Sequence, residues 1–180
     1  ASPEQIRQMI KDSDGDVYEQ MRALQQDLTF EEAAAAFKRY KVEFAEDKYL
    51  VIITKNGIIK RTVMTEFEYQ RKGGKIALSL DEGDELVFVI LTHGESDVVL
   101  ATHEGSAARF TEANVRVMGR TARGVRGIRL REGDYVVGAV RVEEGKKLVT
   151  VTENGYGKRT DFEEFRVKGR GGLGVTCHNL

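Results

Sequence analysis

The sequence repeats one pattern three times, a glycine-centred turn followed by a basic, glycine-rich run, with a period of about fifty residues. The turns and their basic runs occupy residues 56–62 and 70–75, 104–109 and 119–127, and 154–160 and 168–174. A second marker, Leu-x-Glu-Gly-Asp, occurs at residues 80–84 and 130–134. A period of this size is typical of propeller blades or solenoid units.

The basic runs do not all start at the same distance from their turns. Lys72 and Arg170 each lie fifteen residues past the turn glycine, whereas Arg123 lies eighteen past Gly105. We therefore predict a three-residue insertion in the second copy.

The residue pattern changes from helical to strand-like near Lys48. Before it, apolar residues recur at helical spacing, so an acidic helical segment is predicted for residues 1–46. After it, β-branched runs alternate with glycine turns, and the Asn-Gly pairs at 56 and 154 predict hairpins. We expect one all-β domain at 47–180, with about four strands per repeat and repeats at about 48–85, 86–135 and 136–180. Leu86–Leu91 and Val98–Ala101 are predicted strands of the middle repeat.

Charge is distributed unevenly along a chain whose net charge is only −1. Residues 1–47 carry six Lys and Arg against eleven Asp and Glu, and residues 48–180 carry twenty-two against eighteen. The stretch 109–131 alone contains seven arginines and a single acidic residue, Glu112. Such clustering indicates a polyanionic partner.

Several classes of function find no support in the sequence. No apolar run approaches the roughly 20 residues that span a bilayer, so a cytoplasmic protein without membrane contact is expected. His93, His103 and His178 have no metal-ligand spacing, and the single cysteine, Cys177, is interpreted as an apolar filler. No nucleophile or phosphate-loop motif is present. We predict no metal site, no cofactor and no catalytic activity.

The basic runs have the composition of a phosphate-binding surface. Paired glycines let the backbone approach a phosphate, and flanking Arg and Lys supply charge and hydrogen-bond donors to its oxygens. A solvated glycine-rich turn is the competing interpretation for any single copy. The predicted DNA-binding residues are Gln70, Arg71, Lys72, Gly73, Gly74, Lys75, Arg120, Arg123, Arg126, Lys168 and Arg170, with Gly124, Gly171 and Gly172 also shaping the loops.

A second set of candidates follows the turns directly, namely Lys60-Arg61 and Lys158-Arg159. Neighbouring side chains on a strand point to opposite faces, so only one member of each pair can join a given phosphate track. The other member is expected to be solvated or packed along its stem.

These residues carry a resemblance to a known family. Gln70–Ile76 resembles the gyrase A box, Gln-Arg-Arg-Gly-Gly-Lys-Gly, with Lys72 for the second arginine and Ile76 for the last glycine. Met118–Leu130 and Val151–Gly174 are similar to later repeats of the same domain. Residues 48–180 thus resemble the carboxy-terminal domain of the A subunit of bacterial DNA gyrase and of its topoisomerase IV relative.

The resemblance implies a mainly β fold of three propeller-like β-pinwheel repeats, a disc whose blades exchange strands. Family discs commonly have five or six blades, so three repeats imply a fragment, an open arc, or an assembly closed by a second copy. The implied function is non-catalytic wrapping of duplex DNA through its phosphate backbone, which sets supercoil handedness. The implied partners, at the nucleoid, are the ATPase partner subunit together with the rest of the A subunit. The alternative is a protein-interaction or regulatory module that keeps the pinwheel without wrapping DNA.

Overall fold

The computed structural model describes residues 44–69 and 74–178. Within these stretches lie ten strands: β1 (Tyr49–Thr54), β2 (Ile58–Val63), β3 (Leu86–Thr92), β4 (Asp97–Thr102), β5 (Ser106–Thr111), β6 (Val125–Arg126), β7 (Val136–Arg141), β8 (Lys147–Val151), β9 (Gly157–Asp161) and β10 (Val175–Thr176). Short 3₁₀ helices at Met64–Phe67, Glu112–Asn114 and Phe162–Glu164 directly follow β2, β5 and β9. The helices predicted before residue 44 lie outside the described residues. No helix in the described part of the chain is both long and apolar enough to cross a bilayer.

Each repeat is built on an antiparallel hairpin, as the turn motifs predict. In the first hairpin, β1–β2, Gly57 has a φ of 78°, which a residue with a side chain rarely adopts. The backbone amide of Ile58 then donates to Thr54 Oγ1 at 3.2 Å. The same bond joins Ser106 to Thr102 at 3.3 Å and Tyr156 to Thr152 at 3.1 Å. The three hairpins are therefore local copies of one another.

The aspartate of the Leu-x-Glu-Gly-Asp marker links the hairpin turn to the residue just before the edge strand, β3 in the first sheet and β7 in the second. Asp84 Oδ1 accepts hydrogen bonds from the backbone amides of Asn56, at 2.9 Å, and of Glu85, at 2.8 Å. Asp134 Oδ1 repeats this arrangement with Glu104, at 3.0 Å, and Tyr135, at 2.9 Å. A carboxylate that accepts from two amides at the turn explains why the marker recurs with the same period as the turns.

Neighbouring repeats exchange a strand. The first sheet has the order β3-β1-β2-β6 and the second has β10-β5-β4-β7. Strand β6 comes from the middle repeat and pairs with β2 of the first, with Val125 opposite Ile59. Strand β10 of the third repeat pairs in the same way with β5. This exchange is the β-pinwheel architecture that the resemblance implies.

One prediction about the strands is wrong. Strand β3 is predicted in the middle repeat because it precedes β4 closely, but its backbone pairs with β1 of the first sheet, with Tyr49 opposite Thr92. Residues 86–135 and 136–180 each hold four strands, as predicted, but strands of one repeat are divided between sheets, and the third sheet contains two described strands, β8 and β9. In the first two sheets, the strands on either side of the hairpin come from residues that follow it in sequence: β3 and β6 in the first sheet, β7 and β10 in the second. No residue of 44–69 or 74–178 fills those two positions in the third sheet.

The middle sheet separates two apolar clusters. Val98 and Leu100 of β4 are fully buried in one cluster with Ile53, Ile59 and Phe110. Val99, between them in sequence, points to the opposite face and is buried in a second cluster with Leu148, Phe162, Phe165 and Cys177. Because strand side chains alternate between faces, a run of consecutive apolar residues belongs to a sheet covered on both sides. Cys177 is a buried free thiol in this packing, as predicted.

Candidate nucleic-acid interface

The basic loops of repeats two and three have the same length. Each loop begins with a backbone hydrogen bond to the preceding hairpin. The amide of Met118 donates to the carbonyl oxygen of Arg61 at 2.8 Å, and the amide of Lys168 donates to that of Arg109 at 2.9 Å. Each loop ends with a second such bond. The amide of Gly127 donates to the carbonyl oxygen of Gly57, and the amide of Cys177 donates to that of Gly105, both at 2.8 Å. The predicted three-residue insertion is therefore wrong. The backbone hydrogen bonds that begin and end the two loops align residue 120 with residue 170. Arg120, fifteen residues past Gly105, is therefore the structural equivalent of Arg170.

One glycine in each loop is required by close backbone approach. Gly124 has a φ of 102°, and a Cβ atom there would lie 2.7 Å from the carbonyl oxygen of Ile59. Gly174 has a φ of 78°, and its Cβ atom would lie 2.5 Å from the carbonyl oxygen of Ala107. Such distances are too short for a carbon and an oxygen. Only glycine lets β6 and β10 pair with the hairpin of the preceding repeat.

Ile76 stands at this glycine position in the first repeat. Its side chain is 64% exposed, and no described non-glycine residue has a positive φ. The backbone at Ile76 therefore differs from that at Gly124 and Gly174. Gly74, two residues earlier, does have a positive φ of 74°, with open space around it. The other box residues, Gln70, Arg71, Lys72 and Gly73, lie outside the described residues.

Arg120 and Arg170 both reach back to the preceding repeat. Arg120 Nη1 donates to the carbonyl oxygen of Ile76 at 3.1 Å, and its Nε lies 3.7 Å from Glu66 Oε2. Arg170 Nη1 donates to the carbonyl oxygen of Arg126 at 3.0 Å. Its Nε donates to the carbonyl oxygen of Asn114 at 2.9 Å, and residue 114 is the equivalent of 66. These two predicted DNA contacts commit donors to linking consecutive repeats.

Lys60, a predicted DNA contact, is buried. Its side chain has no exposed surface. Its Nζ donates to the carbonyl oxygen of Ala77 at 2.6 Å and to that of Arg120. Burial lowers the pKa of Lys60, and the neighbouring charge of Arg120 lowers it further. The sequence cannot reveal this, because Lys158 has the same local motif and is exposed.

Arg61, the other predicted contact of this pair, also forms its bonds within the protein. Its side chain is 11% exposed, and Nη1 donates to the carbonyl oxygen of Gly94 at 3.2 Å. The guanidinium lies 4.8 Å from the centroid of the Tyr49 ring and 3.7 Å from Glu112 Oε2. These contacts hold the charge of Arg61 between the first two repeats, so it does not present a cation to a surface ligand.

Glu112 is a buried carboxylate that no sequence motif marks as functional. It has no exposed surface, and it accepts hydrogen bonds from Thr92 Oγ1 at 2.5 Å and from the amides of Gly94 and Ser96 at 3.0 and 2.8 Å. The equivalent residues of the other repeats, Met64 and Phe162, are apolar. A charged residue at an otherwise apolar repeat position is the signal in the sequence that could identify it.

The remaining predicted cations lie at the surface. Arg123 is 64% exposed and forms an ion pair with Asp81. Lys75 is half-buried, and its Nζ donates to the carbonyl oxygen of Glu66 at 3.1 Å. Four further side chains are exposed and form no hydrogen bond or ion pair to another described residue: Arg126, Lys158, Arg159 and Lys168. Repeats two and three therefore present the accessible positive charge of the described loops.

A comparison with protein families decides the relationship. The model of the family described as the DNA gyrase C-terminal domain, beta-propeller, matches residues 48–93, 96–143 and 146–178. The chain belongs to the DNA gyrase C-terminal domain family. The matched segments follow the three repeats, and the first of them includes β3, in agreement with the pairing of that strand with β1.

Individual relatives agree with this assignment. The A subunit of DNA gyrase from Staphylococcus epidermidis is 48% identical over 133 residues, which cover 73% of this chain and 15% of the relative. Its counterpart from Staphylococcus aureus is 46% identical over the same length. This gyrase C-terminal domain chain is thus homologous to one part of a type II topoisomerase and spans a small share of the relatives it matches.

Solved structures of the family have the same fold. The C-terminal domain of a DNA topoisomerase IV is 32% identical, with a TM-score of 0.71, over 75% of this chain and 42% of that one. A DNA gyrase A C-terminal domain is 27% identical, with a TM-score of 0.69, over 84% of this chain and 54% of that one. The repeats of this gyrase C-terminal domain chain therefore correspond to about half of each solved domain.

Proposed function

We propose that this chain binds duplex DNA through the phosphate backbone and wraps it, as a non-catalytic part of a type II topoisomerase A subunit. The proposal rests on one observation. After the buried and engaged cations are set aside, Arg126, Lys158, Arg159 and Lys168 remain exposed without a hydrogen bond or ion pair to another described residue. Accessible cations beside glycine-rich loops suit sequence-independent contacts to phosphates.

Family membership supports the wider parts of this proposal. The relatives are A subunits of DNA gyrase, and the matched part is a small share of each. The partners that we propose, at the nucleoid, are therefore duplex DNA, the ATPase subunit of such an enzyme, and the rest of an A subunit. Wrapping of one hand would set the sign of the supercoils that the enzyme introduces.

Salt dependence of binding tests the phosphate contacts. Each phosphate neutralised on duplex DNA contributes about −0.9 to the slope of log K against log salt. Arg126→Gln and Lys168→Gln should each reduce the magnitude of the slope by about 0.9 for a duplex of arbitrary sequence. Lys55→Gln, a cation on the first hairpin turn rather than on a basic loop, is the matched control. Binding that is independent of salt would contradict the proposal.

Plasmid topology tests the wrapping. A nicked plasmid is sealed with ligase in the presence of increasing protein, and the trapped supercoils are read on chloroquine gels after the protein is removed. Supercoils of one sign, in proportion to the protein bound, are the expected result. Binding with an unchanged linking number would mean that these repeats hold DNA without wrapping it.

The second candidate function is a protein-interaction or regulatory module. It is favoured by one specific observation: Lys60, Arg61, Arg120 and Arg170 spend their donors within the protein, which leaves fewer cations for DNA than the sequence indicates. Arg126→Glu with Lys168→Glu separates the two candidates. The double reversal should abolish DNA binding, whereas a protein-interaction module would keep its protein partner.

A further inference from the structure

Residues 74–80 are linked to the loop of the second repeat by hydrogen bonds from side chains. Lys60 Nζ donates to the carbonyl oxygen of Ala77 in this segment and to that of Arg120 in the next loop. Ser79 Oγ donates to the carbonyl oxygen of Thr121 at 2.6 Å. Arg120 Nη1 completes the set at the carbonyl oxygen of Ile76. Each of the three side chains contacts the backbone of the segment or of the loop.

Of these three, only Lys60 is completely buried. Removing an ammonium group from water is costly unless its donors are satisfied, and here two of its three N–H groups bind carbonyl oxygens. The carbonyl oxygens come from two different repeats. The favourable state of the buried charge therefore requires that residue 77 and residue 120 both stay in place.

The same position in the other repeats shows that the arrangement is particular to the first. Residue 108 is alanine, and Lys158 is exposed. Lys60 and Lys158 share the local sequence Lys-Arg-Thr, on the second strand of equivalent hairpins. Lys60 is covered by two elements, segment 74–80 through the carbonyl oxygen of Ala77 and the loop of the next repeat through that of Arg120, whereas Lys158 forms no such bond to a described residue.

We propose that Lys60 is a positioning residue that locks segment 74–80 against the loop of the second repeat, so that the exposed cations of that loop, Arg123 and Arg126, are presented to DNA as a preformed surface. It does not contact phosphate. Since a preformed surface avoids the entropy cost of ordering on binding, losing the lock weakens binding without removing a phosphate contact. This inference rests on the proposed function, but the lock itself is a property of the protein alone.

Lys60→Met tests the lock, because it keeps the apolar stem and removes the donors. Lys158→Met is the matched control at the equivalent position. Amide hydrogen exchange is measured by mass spectrometry on peptides covering 74–80 and 119–124. We expect faster exchange in both peptides for Lys60→Met and no change there for Lys158→Met. Unchanged exchange in a folded Lys60→Met protein would overturn the proposal.

DNA binding supplies the readout that a purely structural role would not move. For Lys60→Met we expect affinity to fall about three- to tenfold at a temperature where the protein is folded, with the salt slope unchanged. Lys158→Met should reduce the magnitude of the slope by about 0.9. A reduced slope for Lys60→Met with unchanged exchange would show that Lys60 meets phosphate, and the lock would be wrong. If the wild-type chain binds no DNA while exchange responds as expected, the proposed function fails and the lock stands.

Ser79→Ala keeps the test decisive if Lys60→Met does not fold. Ser79 is exposed, and its substitution removes one of the links between the same two segments. Exchange in both peptides should rise, by less than for Lys60→Met. Unchanged exchange for Ser79→Ala, with Lys60→Met unfolded, would count against the lock and indicate that Lys60 serves the stability of the core.

Discussion

Replacing Gly124 by alanine should destabilise the protein through the joint between the first two repeats. Two costs add at this position. A side chain at a φ of 102° costs about 1–2 kcal/mol. The new Cβ atom would also lie 2.7 Å from the carbonyl oxygen of Ile59 and 2.8 Å from Cγ2 of Ile58, and such overpacking costs about 1–3 kcal/mol. The expected loss is about 2–5 kcal/mol, a large share of the stability of a typical domain.

Gly133→Ala isolates the first of these costs. Gly133 has a φ of 78°, and its Cβ atom would meet nothing within 4 Å. It should therefore lose only the backbone cost, about 1–2 kcal/mol. The difference between the two variants measures the close approach of β6 to the first hairpin.

Urea denaturation followed by circular dichroism gives both free energies of unfolding. Hydrogen exchange at residues 58, 59, 125 and 126 shows whether the exchanged strand is the part that opens first. Equal losses for Gly124→Ala and Gly133→Ala would refute the reasoning, because they would mean that the joint tolerates a methyl group.

Three further predictions concern buried groups. Glu112→Ala should cost about 3–5 kcal/mol in urea denaturation, because it leaves Arg61 and two amides without their partner; a loss below about 1 kcal/mol would contradict this. Burial lowers the pKa of Lys60 below its usual 10.5, so the unfolded chain binds the proton more tightly than the folded protein does. The free energy of unfolding, relative to that of Lys60→Met, should therefore rise with pH as Lys60 loses its proton in the folded state. It should level off above 10.5, where the unfolded chain is deprotonated as well. A difference in unfolding free energy between the two proteins that stays constant or falls over this pH range would contradict the prediction. Burial raises the pKa of the Cys177 thiol, so a thiol reagent at neutral pH should react with it mainly after denaturation; rapid labelling of the folded protein would show that the thiol is accessible.

The sequence predicts the repeat and its hairpins well because their causes are local. The Asn-Gly turns need only a positive φ at Gly57 or Gly155 and strand-forming neighbours, and both are visible in the sequence. The β fold and the strand exchange are confirmed, although the exchange is implied by the resemblance rather than by any residue pattern.

The errors all come from contacts between residues far apart in the chain. Strand β3 lies close to β4 in sequence, but its backbone hydrogen bonds go to β1. Charge alone matches Arg123 to Arg170, whereas the backbone anchors match Arg120 to Arg170. Lys60 and Lys158 cannot be distinguished by composition or spacing. Contacts with two distant segments, at the carbonyl oxygens of Ala77 and Arg120, separate the buried ammonium group from the exposed one.

Ile76 occupies the position at which the other two repeats need glycine to donate a strand. Repeats two and three each hand a strand back to the hairpin before them, and Gly124 and Gly174 leave room for that exchange. A hairpin docked on the first repeat in the same way would place a carbonyl oxygen about as close to the Cβ atom of Ile76 as the 2.5–2.7 Å found for the two glycine positions. The first repeat thus accepts a strand from its successor and does not donate one by this route. A joint between residue 76 and another hairpin would therefore need a geometry other than the one found at Gly124 and Gly174.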